Sequence, residues 1–136
     1  MFGKSLMLLF GHRFIPSEHF YHVSSIEAIQ NTPPSSTVFI DFSEENLDII
    51  KHTTSNSIKL ALHVKDITEI VYASALDANF IVVSKELAKT AQNLAENYLF
   101  DAKILVNIED EKEVEELALL GIDGVICADA IIKINS

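Results

Sequence analysis

Short apolar runs recur along the chain at residues 6–10, 37–42, 58–64, 80–83, 103–108 and 124–127, each bounded by polar or turn residues. Runs of this length rich in Val, Ile, Leu and Phe predict buried strands. They are nearly continuous instead of alternating, which is what a parallel sheet covered on both faces requires. Residues 20–23 form a further, shorter strand candidate.

Between the runs lie segments with helix signals. Ser24 with Glu27, and Asp66 with Glu69, have capping-box spacing, and Ser43 and Ser84 stand where N-caps belong. The helix after Ser84 places Leu87, Ala91, Leu94, Ala95 and Tyr98 on one face, with Lys85, Lys89, Gln92 and Glu96 outside. The last helix turns Val114, Leu117, Ala118 and Leu120 inward. It carries Asp110, Glu111 and Glu113 around its first turn and ends at Gly121, which suits the left-handed position after a helix. The acidic run reads as a solvated helix face. Pro33 and Pro34 mark a loop.

Strand and helix thus alternate about five times, the pattern of right-handed crossovers and a parallel sheet. The expected fold is α/β: a mainly parallel sheet of five to seven strands with helices outside, in an open three-layer or incomplete-barrel arrangement. No linker interrupts the pattern, so residues 1–136 are expected to form a single α/β domain.

Composition narrows the function classes. About half of the residues are apolar and 22% are charged, the balance of a folded globule. A formal charge of −10 without any basic stripe argues against nucleic acid and against an anionic membrane surface. No apolar stretch approaches the roughly 20 residues of a membrane span. The start of the chain is too short in apolar residues for a signal-peptide core and lacks a small-residue cleavage site. The one cysteine, Cys127, fits a reducing compartment. A cytoplasmic address is the expectation. An open sheet also leaves edges to be paired or covered, so a homo-oligomer is expected.

In a parallel sheet, ligands bind beyond the carboxyl ends of the strands. The residues found there are His12 and Arg13, Asp41 and Ser43, His63, Lys65 and Asp66, Ser84 and Lys85, Asn107 and Glu109, and Asp129. Ser43 and Lys65 are candidate ligand-binding residues on this mixed-charge rim. The four glycines stand at neither P-loop nor dinucleotide spacing, and no Gly-x-Ser-x-Gly elbow is present. A phosphoacceptor site fails on charge, since His and Arg occupy the positions where acids are needed. His19 and His22 form a His-x-x-His pair, but on a strand or loop that spacing does not bring both rings to one side.

Two segments carry a resemblance. Leu8-Leu9-Phe10-Gly11-His12-Arg13-Phe14-Ile15-Pro16-Ser17-Glu18 resembles the opening of the glycerophosphodiester phosphodiesterase family, whose first barrel strand closes with a His-Arg pair followed by a Pro-Glu segment. Val106-Asn107-Ile108-Glu109-Asp110 and Leu120-Gly121-Ile122-Asp123-Gly124-Val125-Ile126-Cys127-Ala128-Asp129 are similar to its closing pattern. The resemblance implies metal-assisted phosphodiester cleavage at the top of a barrel, with His12 as acid or base, Arg13 on phosphate and His63 as the second histidine. The family's Glu-x-Asp metal pair stands here as Phe39-Ile40-Asp41, leaving Asp41 as the implied metal carboxylate, with Mg2+ or Ca2+ as cofactor if the site is catalytic. Phe14 replaces the family's glycine, and about six strands stand where that barrel has eight.

The expected function is a domain that binds a small phosphate-containing ligand as a phosphate-ester site or a degenerate phosphodiesterase-like site. The alternative is a non-enzymatic interaction or regulatory domain.

Overall fold

The computed structural model describes residues 6–134. Residues 1–5, part of the stretch weighed as a leader, lie outside the described residues. The strands are β1 Leu8–Phe10, β2 Phe20–His22, β3 Thr37–Asp41, β4 Leu60–His63, β5 Phe80–Val83, β6 Lys103–Ile108, β7 Gly124–Cys127 and β8 Ile131–Lys133. The helices are α1 Ile26–Ile29, α2 Leu47–Ser55, α3 Ile67–Ala75, α4 Ala88–Asn97 and α5 Glu113–Leu119. All eight strands join one sheet in the order β1-β7-β6-β5-β4-β3-β2-β8, and every pairing is parallel.

The expected α/β class and parallel sheet hold, with eight strands instead of five to seven. β2, Phe20–His22, is the short candidate expected at residues 20–23, and the strand beyond the expected range is β8, which extends the chain past the 3-10 turn Ala128–Ala130 to pair with β2. β8 has no apolar run of its own long enough to signal a strand and is held by its pairing partner.

Because side chains alternate across a strand, the continuous apolar runs supply two cores. Val38, Ile40, Leu60, Leu62, Ile81, Val83, Ile104 and Val106 face the helices and meet Ile50, Ile70, Ala91 and Leu117. Phe10, Phe20, Phe39, Ala61, Val82, Leu105, Ile126 and Ala130 form the second core on the other face. Its centre is an aromatic trio. Phe10 and Phe20 stand 4.9 Å apart, Phe20 and Phe80 5.2 Å, and Phe10 and Phe80 5.7 Å, all edge-on. β1, β5 and β2 are far apart in strand order, so these contacts require the sheet to curl strongly around its inner face.

Helix ends follow the sequence with shifts. Asp66 accepts from the Glu69 amide at 2.9 Å as expected, while the Glu69 carboxylate reaches one residue further back than a capping box and accepts from the Lys65 amide at 2.8 Å. At α1 the cap is Ser25, not Ser24. Ser43 and Ser84 precede the 3-10 turns Glu44–Asn46 and Lys85–Leu87 and make no side-chain cap. Gly121 adopts φ +75°, the expected left-handed turn.

On α4 the buried face is Ala88, Ala91, Gln92 and Ala95, and Tyr98 points outward. Gln92 is buried because its Oε1 accepts from the Asp123 amide at 2.9 Å, while Asp123 accepts from the Ile104 amide. On α5 Leu117 alone is fully inside; Ala118 and Leu120 face solvent because seven residues present a single buried position to the sheet. Among the described residues no helix is long and apolar enough to cross a membrane.

The inner trio predicts a specific stability difference. Phe20→Ala, at a fully buried site, is expected to lower unfolding free energy by about 3–5 kcal/mol. Phe14→Ala, at an exposed ring, should change it by under about 0.5 kcal/mol. Urea denaturation of both variants checks this, and near-equal midpoints would contradict a sheet curled around Phe20.

Candidate functional site at the carboxyl rim

The same alternation that turns Phe20, Phe39 and Ala61 inward turns the next inward positions of their strands to His22, Asp41 and His63. These are the last residues of β2, β3 and β4, adjacent in the sheet. Asp41 lies level with His63 in register, and His22 lies level with Phe39. The three side chains meet: His22 Nε2 is 3.0 Å from Asp41 Oδ2, and His63 Nδ1 is 2.9 Å from Asp41 Oδ1. The Phe39 ring lies beneath, 5.2 Å from His22 and 5.8 Å from His63, stacked on the latter. The Asn46 amide group donates to the Asp41 carbonyl at 2.8 Å and fixes the turn that follows β3.

Burial works against ionisation of Asp41, but the hydrogen bonds from His63 and His22, with the charge the two rings carry, hold its carboxyl below the ordinary value. An ionised carboxylate only accepts hydrogen bonds. His22 therefore donates through Nε2–H and His63 through Nδ1–H. That leaves His22 Nδ1 and His63 Nε2 without a hydrogen-bond partner among the described residues. Two oriented ring nitrogens, each able to accept or donate a proton, are what the cluster offers a ligand.

His12 and Arg13 follow β1 and form a second group with Glu111, which precedes α5. His12 Nε2 is 3.0 Å from Glu111 Oε2, and Arg13 Nη1 is 3.6 Å from the same oxygen. The Phe14 amide donates to His12 Nδ1 at 3.1 Å, so in this arrangement His12 carries its proton on Nε2. The Arg13 guanidinium lies 4.5 Å from the centre of the Phe14 ring. Gly11 turns the chain at φ +88°, with Ala130 so close that a Cβ would meet its amide nitrogen at 2.8 Å. No hydrogen bond or ion pair joins this group to the Asp41 cluster among the described residues.

Of the residues expected at the site, Asp41 and His63 are brought together, and His12 and Arg13 are brought together in a second hydrogen-bonded group around Glu111. Lys65 is exposed, donating to the Phe42 carbonyl at 3.0 Å and pairing with Glu69 at 3.5 Å. Ser43 starts the turn beyond Asp41. His22 is the member that sequence reasoning passed over. His19 is exposed outside β2, so the His-x-x-His spacing carries no joint role. The usable signal was His22 two residues after Phe20, on the inner face of a strand.

Hard cations such as Mg2+ or Ca2+ need several oxygen ligands. Asp41 supplies the one carboxylate of its cluster, and both its oxygens are engaged by imidazoles. Among the described residues no group of three or more His, Cys, Asp and Glu side chains stands where it could hold a metal ion. The donor set does not fit the expected cation, and no step is derived through one. Surface cavities described by Leu8, Lys103, Gly121 and Asp123, about 310 Å3, and by Pro33, Pro34 and Ile58, about 440 Å3, lie at the opposite, amino-terminal rim. Burial pushes the Cys127 thiol up, with the Asp129 and Glu111 charges adding to it, so this thiol keeps its proton.

No family model matches this chain, and no curated protein sequence matches it.

The lowered Asp41 value sets a pH dependence. The stabilisation it brings is present above the ordinary carboxyl value of 3.8 and is lost as pH falls through the lower folded value. Solvent screening at this half-exposed position keeps the effect to about 1 kcal/mol. Asp41→Asn is expected to be less stable than the parent by that amount at pH 7, with the gap closing below pH 3.8. Thermal unfolding across that range measures it, and a gap independent of pH would contradict the assignment.

Proposed function

We propose that the carboxyl rim binds a small phosphate ester, as a ligand-binding or degenerate phosphodiesterase-like domain. The observation that carries this reading is the seating of His22, Asp41 and His63 on three adjacent strand ends, which presents His22 Nδ1 and His63 Nε2 from one face. Imidazoles held in this way can bind a phosphate oxygen when protonated or take a proton from a hydroxyl when neutral. Arg13, on the same rim, has the planar fork that matches two phosphate oxygens. Lys65 adds a positive charge beyond β4. These cations matter because the chain as a whole carries −10 and opposes an incoming anion.

Titration of the protein with inorganic phosphate and methyl phosphate, followed by 31P NMR and calorimetry, tests the reading. Saturable binding is expected, weakened roughly five- to thirtyfold by Arg13→Ala and by His63→Asn. Bis(p-nitrophenyl) phosphate separates the two forms of the proposal. Turnover lost in His63→Asn assigns catalysis, and binding without turnover assigns a ligand-binding domain. Absence of saturable binding to either phosphate would favour the non-enzymatic interaction domain instead.

A further inference from the structure

One carboxylate oxygen, Glu111 Oε2, sits in the fork between the His12 imidazole at 3.0 Å and the Arg13 guanidinium at 3.6 Å. An anionic oxygen shared between those two groups has the chemistry of a phosphate oxygen held by the same pair. We infer that Glu111 is a built-in competitor, occupying an anion seat formed by His12 and Arg13 that a phosphate-ester ligand enters by displacing it. The inference rests on the phosphate-ester reading above and adds the control of that site.

The seat is formed without help from Glu111. His12 is oriented by the Phe14 amide on Nδ1, and Arg13 is laid over the Phe14 ring. Gly11 anchors the turn beneath them through its amide, which donates to Ser17 Oγ at 3.0 Å, and through its close approach to Ala130. His12 is the less exposed partner at 19%, whereas Glu111 and Arg13 are 54% and 69% exposed. Glu111 can leave without unmaking the loop, since the loop amides are capped by other side chains: Glu113 accepts from the Glu109 and Asp110 amides and Asp110 from the Lys112 amide.

Charge adds to the effect, since a phosphate arriving while Glu111 is seated faces that carboxylate in the seat itself. When Glu111 swings out, its charge leaves the seat and two hydrogen-bond donors are released together. An exposed pair of this kind is closed only a few times more often than it is open, which lowers apparent ligand affinity by roughly two- to sixfold.

Calorimetric titration with inorganic phosphate, methyl phosphate and dimethyl phosphate on the parent chain, Glu111→Ala, Arg13→Ala and the double variant tests the inference. The monoester and diester arms tell which ester class the seat takes. Glu111→Ala is expected to bind the preferred phosphate roughly two- to sixfold more tightly than the parent, and the gain should vanish when Arg13 is also replaced. Equal affinity in parent and Glu111→Ala, with both weakened by Arg13→Ala, would overturn the competitor role and leave the phosphate-ester reading standing. Saturable binding indifferent to Arg13 likewise overturns the competitor role alone, whereas binding in none of the proteins removes both. Thermal unfolding of each variant confirms that the comparison is between folded proteins, as expected for exposed side chains.

Discussion

Phe10, Phe20 and Phe80 meet inside the curl of a sheet whose strands would otherwise keep them apart, and the carboxyl rim takes its shape from that contact. Burying three rings at a single point draws β1 and β2, near opposite edges of the sheet, toward one another. Each strand has two faces, so curling around the rings commits alternate residues to the inside all the way to the strand ends. Directly beyond that apolar layer the inward positions become polar, at His22, Asp41 and His63.

That change from apolar to polar within two residues gives the rim its chemistry. Asp41 lies in a partly buried setting that opposes its charge, and the two imidazoles offset this by donating to both oxygens. The carboxylate in turn decides which nitrogen of each ring is left over. One ionised group therefore sets the protonation pattern of two others, and the apolar Phe39 ring beneath limits how the rings can turn. The His12, Arg13 and Glu111 group likewise sets two nitrogen-bearing side chains around one acid.

Strand positions in the middle of the chain were legible because their apolar runs satisfy two cores at once: Phe80–Val83, Lys103–Ile108 and Gly124–Cys127 coincide with the predicted runs. β8 was not legible. Its residues Ile131–Lys133 lie only three positions beyond β7, separated by a 3-10 turn, and what makes them a strand is the free edge of β2. The same limit applies to Gln92, which periodicity placed outside α4. Its burial depends on the Asp123 amide, which is distant in sequence and adjacent in space.

Composition and local pattern by themselves determined an acidic α/β chain with parallel strands, and named Asp41, His63, His12 and Arg13 as rim residues, because period and strand ends are written in neighbouring positions. Only the tertiary structure decided that His22 joins Asp41 and His63, and that Glu111 closes on His12 and Arg13. Those contacts join residues 19 and 99 positions apart at their shortest and longest. Strand order and curl, not spacing along the chain, set which polar ends can touch.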